Sequence, residues 1–330
     1  MKVIGVNGFG RIGRCFTRLI LQDNEISLAL INDPADTNTL MHLLKYDSAH
    51  GILQIDYKID GDTVTFNNGK KIHFSHEKDP KKIQWSKFEV DIVIESSGFF
   101  LAKEASAGHI EAGAKRVIIS APAADENVPT IVLGVNNEIL KNNYSIISNA
   151  SCTTNNVAPL IKVLKQLMPI DYAYISTIHS YTSDQRLHDA PHRDLRRARA
   201  AANSIVPTTT GAAKAITRIF PDLDGKITGG SVRVPVINCS MTELTLYTNT
   251  EISGKEINDA MKYASENDLN GILGYTEDPI VSVDMMNSPF SCLFDAQLTT
   301  VLGNLVKVVG WYDNEAGYSN RLKDLVKLLN

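Results

Sequence analysis

Residues 148–155 read Ser-Asn-Ala-Ser-Cys-Thr-Thr-Asn and set one thiol, Cys152, among small polar side chains. The segment follows an apolar strand at 145–147 and precedes helix-competent residues 157–168. A cysteine at a strand-to-helix turn meets the positive end of a helix, where free N–H groups favour the nucleophilic thiolate. A lone cysteine also serves as a small buried hydrophobe, and the segment alone leaves both readings open. His179 closes a second apolar strand, 173–178, so thiol and imidazole lie at the ends of neighbouring elements. They are the candidate nucleophile and base. Thr208-Thr209-Thr210-Gly211-Ala212-Ala213 opens another helix, and its hydroxyls and first-turn amides suit an anion.

A different chemistry is written near the start. Asn7-Gly8-Phe9-Gly10-Arg11-Ile12-Gly13-Arg14 follows the apolar run 3–6 and precedes an amphipathic stretch bearing Ile12, Phe16, Leu19 and Ile20. In that strand-turn-helix setting Gly8 permits the turn, Gly10 lets backbone approach a pyrophosphate, and Gly13 lets helix and strand pack closely. The next strand, 26–31, runs into Asn32-Asp33. A carboxylate there accepts from ribose hydroxyls and repels a 2′-phosphate. Strands at 90–94 and 116–119 lead into Ser97-Gly98 and Ser120, small or polar residues at strand ends where an open α/β sheet holds its ligand. Lys78 completes the expected cofactor positions.

These elements define the fold class: α/β, with a Rossmann-type dinucleotide-binding domain followed by an α+β catalytic domain on a mixed or antiparallel sheet. The expected division is 1–150 and 151–314, with a C-terminal helix at 315–330 packing back on the first domain. Residues 57–66 read as a hairpin around Asp-Gly, within an antiparallel insertion spanning 51–74. Residues 180–207 form a long polar segment. Its arginines are interrupted by Asp184, Asp189 and Asp194, and the net charge of −4 gives no general attraction to nucleic acid or anionic membranes. His42, His50, His73, His76 and His109 are expected to be surface or packing residues. Four dispersed cysteines without a CxxC pair argue against zinc and a disulfide framework, so no metal is expected. No apolar run is long enough to span a bilayer. With the first strand beginning near Lys2 and no leader expected, the chain is read as cytoplasmic.

Together these motifs resemble phosphorylating glyceraldehyde-3-phosphate dehydrogenases of bacterial type. The glycine motif and residues 148–155 carry the likeness, joined by Lys45-Tyr46-Asp47-Ser48, Thr210-Gly211-Ala212-Ala213-Lys214, Arg233-Val234-Pro235 and Trp311-Tyr312-Asp313-Asn314-Glu315. They occur in the family's order over essentially the whole chain. The resemblance implies that Cys152 attacks the aldehyde of glyceraldehyde 3-phosphate to give a thiohemiacetal. His179 would stabilise the thiolate and take the hydroxyl proton as hydride leaves for NAD. Inorganic phosphate would then cleave the thioester to 1,3-bisphosphoglycerate, a step shared by glycolysis and gluconeogenesis. Thr182 and Arg233, with Asp184 nearby, would serve the substrate phosphate. Ser151, Thr153, Thr210 and Gly211 would serve the attacking phosphate, and Arg197 could reach either region. Arg11 and Ile12 would offer backbone amides to the pyrophosphate, Asn314 would anchor the nicotinamide amide, and Tyr318 would pack near it. The resemblance also implies a homotetramer with 180–207 at the subunit contact.

Two departures stand out. Asn156 replaces a second cysteine carried by many members, which removes a disulfide partner for Cys152 without touching the mechanism. In 189–192 Pro191 and Asp33 look NAD-type while Ala190 resembles NADP-tolerant members, giving NAD preference with weak NADP use. The rivals are an erythrose-4-phosphate dehydrogenase, disfavoured by Thr182 and 208–211, and a non-catalytic NAD-binding scaffold, disfavoured by the intact Cys152, His179, Arg233 and Asn314.

Overall fold

The structure, a computed structural model, describes residues 1–329 and separates into two units. The first comprises 1–131, 137–150 and the C-terminal stretch from Ser319; the second comprises 132–136 and 151–318.

The first unit is built on an eight-stranded sheet ordered Ile146–Ser148, Arg116–Ile119, Ile92–Glu95, Lys2–Asn7, Ile26–Asn32, Lys71–Ser75, Thr63–Phe66, Tyr57–Asp60. The first six strands are parallel, and the near-unbroken Val, Ile and Leu runs among them reflect burial on both faces. The last two form the Asp-Gly hairpin. The insertion expected over 51–74 is therefore shorter than its pattern suggests: Lys71–Ser75 pairs parallel with Ile26–Asn32 and belongs to the main sheet. Alternation within one strand cannot tell which neighbour it will find, and Ile72 and Phe74 are buried while Lys71, His73 and Ser75 are not. Helices α1 (Arg11–Leu21), α2 (Thr37–Lys45) and α3 (Lys103–Glu111) follow strands of this sheet. Trp85 is wholly buried against the first strand, where a Cβ at Gly5 would lie 2.3 Å from its ring.

The second unit carries a mixed sheet ordered Val206–Thr208, Ile227–Val234, Tyr172–Ser180, Ser240–Tyr247, Leu305–Tyr312, Cys292–Asp295, Leu273–Thr276. Most neighbours are antiparallel, but Tyr172–Ser180 runs parallel to Ile227–Val234. Their close approach needs a glycine, since a Cβ at Gly229 would stand 2.5 Å from the Ile175 carbonyl oxygen. Helices α4 (Cys152–Leu167), α5 (Ala212–Ile219) and α6 (Gly254–Glu266) accompany this sheet, and α7 (Ala316–Leu328) ends the described chain. Within the first unit the end of α7 is held by Lys2, whose Nζ donates to the carbonyls of Val326 (2.9 Å) and Lys327 (2.7 Å). Among the described residues no helix is long and apolar enough to cross a membrane.

Candidate active site and dinucleotide groove

The end of the first strand and the start of α1 border a cavity of about 800 Å3 lined by Asn7, Gly8, Gly10, Asn32, Asp33, Pro34, Ala35, Glu77, Lys78, Ser96, Ser97, Phe99 and Phe100. Gly8 has φ +89°, and a Cβ there would lie 2.4 Å from the Ser97 backbone, so only glycine fits this turn. Gly10 is the N-cap of α1 and makes no side-chain capping bond; space for a Cβ is open. The helix thus presents first-turn amides to whatever enters, as an anionic pyrophosphate requires. Asp33 is fixed at the rim, accepting from the Phe9 amide (2.8 Å) and the Ala35 amide (3.0 Å). A glycine-cradled helix start facing a fixed carboxylate fits an NAD molecule.

Of the expected cofactor positions, Asn7, Gly8, Gly10, Asp33, Lys78 and Ser97 line this cavity. Gly13 sits beneath, its Cβ position 2.3 Å from the Gly8 carbonyl oxygen. Arg11 and Ile12 form the first turn of α1, and the Arg11 guanidinium grips Asp47 in two bonds of 2.6 and 3.0 Å. Gly98 follows Ser97 with φ +78°, and Ser120 donates its amide to the Glu95 carbonyl. Asn314 and Tyr318 belong to the second unit and are buried. Asn314 Oδ1 accepts from the hydroxyls of Ser180 (2.9 Å) and Ser240 (3.0 Å), which leaves Nδ2 as the donor end of its amide.

In the second unit α4 begins at Cys152, earlier than the apolar pattern from 157 suggests. Polar side chains hide the start but make it: Ser151 Oγ accepts from the Thr154 amide (3.0 Å), and Asn155 Nδ2 donates to the Ser151 carbonyl (3.0 Å). Cys152 therefore occupies the first turn and keeps partial exposure. Its Sγ lies 3.6 Å from His179 Nε2. His179 is the penultimate residue of its strand, and the parallel register sets Arg233 directly beside it. His179 Nδ1 lies 2.7 Å from the Ser180 carbonyl oxygen, to which Arg233 Nη1 also donates (3.1 Å). Arg233 Nη1 also lies 3.0 Å from Nδ1; in the tautomer that donates Nδ1–H to the Ser180 carbonyl, Nε2 faces the sulfur as an acceptor.

Burial pushes the Cys152 thiol up, while Arg233, the Thr153 and Cys152 amides and the Thr153 hydroxyl pull it down. Burial and then Arg233 push the His179 imidazolium down to about 3. One proton serves both groups: thiol with imidazole and thiolate with imidazolium carry the same total charge, so moving it buries no extra net charge.

The anion-site candidates fall into two sets. Arg233 is half-buried with no partner for its Nε. Arg197 donates Nε to Thr208 Oγ1 (2.9 Å), pairs with Asp184 and reaches the Thr209 carbonyl, so its charge sits next to Thr210 and Gly211. Asp184 pairs with Arg197 and holds its guanidinium in place. Ser151 Oγ caps α4 as an acceptor and keeps its own hydrogen to donate, and Thr153 Oγ1 is 2.9 Å from the buried Tyr312 hydroxyl. Thr182 is partly exposed, its amide donating to Gln185. Gly211 caps α5 with open space at its Cβ position, and Thr210 Oγ1 accepts from Ala212. Asn156 is buried and donates to the Trp311 carbonyl (3.3 Å). Among the described residues no cluster of three metal-ligating side chains occurs.

His109, expected to be a surface or packing residue, takes the packing role. It is completely buried and bonded to Glu95, which ends the strand beside Asn7. Glu95 is a carboxylate closing an apolar strand.

A dinucleotide-type sheet followed by a unit that presents a thiol and an imidazole is the layout of an NAD-dependent dehydrogenase acting through cysteine. Comparison with known proteins agrees on both parts. Residues 2–103 match the model of the glyceraldehyde 3-phosphate dehydrogenase NAD binding domain, and 151–314 match that of its C-terminal domain. The chain is similar to the glyceraldehyde-3-phosphate dehydrogenase of Priestia megaterium, 50% identical over 99% of this chain and 97% of the relative. It is 51% identical to glyceraldehyde-3-phosphate dehydrogenase 1 of Bacillus subtilis, over 98% of this chain and 96% of the relative. The Geobacillus stearothermophilus protein is 50% identical with the same coverage. The chain belongs to the glyceraldehyde-3-phosphate dehydrogenase family.

Proposed function

We propose that this protein oxidises D-glyceraldehyde 3-phosphate to 1,3-bisphosphoglycerate with inorganic phosphate and NAD. The observation that carries the reading is the Cys152–His179 pair at the start of α4, with Arg233 beside it. Residues 1–150 with the C-terminal helix serve the nucleotide, and 151–314 serve the chemistry.

As Cys152 Sγ bonds to the aldehyde carbon, His179 Nε2 receives the thiol proton and passes it to the new alkoxide. The product is a thiohemiacetal on sulfur. The Cys152 amide, in the first turn of α4, stabilises the oxyanion on the way. Bound NAD supplies the hydride acceptor. His179 then takes the hydroxyl proton as the carbon–oxygen double bond re-forms, leaving a thioester on Cys152 and an imidazolium. Phosphate oxygen adds to the thioester carbon, the carbon–sulfur bond breaks, and the departing sulfur recovers its proton from Nε2. Arg233 and Thr182 hold the substrate phosphate. The attacking phosphate is held by Arg197 with Thr210 and Gly211, and by Ser151 and Thr153 at the start of α4. Asn314 would anchor the nicotinamide carboxamide, and Tyr318 would support that end.

The 180–207 segment exposes Leu187, Leu195 and Ile205, each more than two-thirds open, which supports a homotetramer with this stretch at the subunit contact. The protein acts in the cytoplasm, where Cys152, Cys239 and Cys292 stay reduced. The deciding assay is NADH formation from glyceraldehyde 3-phosphate. It depends on phosphate, is lost in Cys152→Ser and is strongly slowed in His179→Asn; turnover that survives Cys152→Ser sinks the reading.

A further inference from the structure

At the floor of the dinucleotide groove four strands end in register, and their last side chains are joined. Ser75 Oγ donates to Asn32 Oδ1 (2.8 Å), Asn32 Nδ2 donates to Asn7 Oδ1 (2.8 Å), and Asn7 Nδ2 donates to Glu95 Oε2 (2.6 Å). Strand pairing sets this row, because Asn32 lies opposite Ser75, Asn7 opposite Asn32, and Glu95 opposite Asn7. A second arm reaches Glu95 from the other side. An indole N–H can only donate, so Trp85 Nε1 gives its hydrogen to His109 Nδ1 (3.1 Å). The His109 proton then resides on Nε2, which donates to Glu95 Oε2 (3.0 Å). Ser97 adds its amide (2.8 Å) and its hydroxyl to Glu95 Oε1.

Every bond in both arms thus points at one carboxylate. Glu95, His109, Trp85, Asn7 and Asn32 are each at most 3% exposed, so no solvent can substitute for a lost partner. The arms also reach the groove's lining. Asn32 exchanges bonds with the Glu77 amide (2.9 Å) and carbonyl (2.9 Å), next to Lys78, and the Ser97 backbone closes against Gly8.

We propose that Glu95 is a positioning residue for the dinucleotide: it touches none of the groove's surface itself but, as the common acceptor, fixes which way Asn7, Asn32 and Ser97 present their polar atoms. The proposal rests on the reading of this groove as the NAD site. Replacing Glu95 by glutamine turns one acceptor oxygen into a donor amide that faces donors only, so some bond of the row must reverse or break.

Calorimetric titration of NAD and of ADP-ribose into wild type and Glu95→Gln, well below either melting midpoint, tests it. The expected result is affinity for both ligands at least about tenfold weaker in the variant. In turnover KM for NAD rises with it, while kcat, KM for the aldehyde and the alkylation rate of Cys152 hold. Equal affinities in the two proteins overturn the proposal and leave the assigned function standing. A wild type that binds neither ligand overturns the groove assignment and this proposal with it. If Glu95→Gln does not fold, neutron diffraction on wild-type crystals decides: the His109 deuteron on Nε2 supports the one-way row, and a deuteron on Nδ1 overturns it.

Discussion

At Cys152 burial and charge pull in opposite directions. Burial disfavours the thiolate, and the Arg233 guanidinium favours it. Removing that cation must raise the Cys152 pKa and shrink the thiolate fraction at neutral pH. Iodoacetamide labelling of Arg233→Gln is therefore expected to be slower at neutral pH, with its rate-against-pH midpoint moved to higher pH than wild type. A midpoint that stays or falls contradicts the arrangement. Asp33 makes a second prediction. Its carboxylate is anchored by two amides at the groove rim, so a 2′-phosphate meets a charge that cannot turn away. kcat/KM for NAD should exceed that for NADP, and a ratio of one or below removes the assignment. Cys152 and His179 were legible as residues because each closes or follows an apolar strand. Arg233 as the neighbour of His179 was not, since only the pairing of two distant strands creates that contact. His109 was taken for surface or packing because one histidine on a short helix carries no local sign of the carboxylate it will meet.

At the scale of elements, the turn between the first strand and α1 is the most constrained piece of the groove. Gly8→Ala puts a methyl where the Ser97 backbone already is, at a φ that favours glycine. The variant should lose NAD affinity by about tenfold or more. Calorimetry measures that loss, and Cys152 alkylation, reporting on the other unit, should keep its wild-type rate. Undiminished NAD binding would show that the turn tolerates a side chain. This strand-turn-helix was readable because glycine spacing and hydrophobic period change together. The start of α4 is hidden in the sequence, because Ser151 to Asn155 look like a loop until their side chains cap a helix. Lys71–Ser75 was placed in the insertion because alternation describes a strand's faces and leaves its partner unspecified.

For the whole molecule, the α/β class and the contrast between a largely parallel and a mixed sheet were both visible in strand composition and turn spacing. The unit boundary was not visible to the residue: 132–136 goes with the second unit although its neighbours in sequence belong to the first. Assembly is the property to measure next. Sedimentation velocity should give a species of four chains, and a single-chain species would detach the exposed leucines of 180–207 from any subunit contact. The tie between Lys2 and the end of α7 bears on how the molecule comes into being. A ribosome emits Lys2 324 residues before Val326, with the entire second unit between. At roughly 5–20 residues per second the opening strand waits about 16–65 seconds for that partner. The nucleotide-binding half therefore gains its closing contact only after the whole second unit has been made.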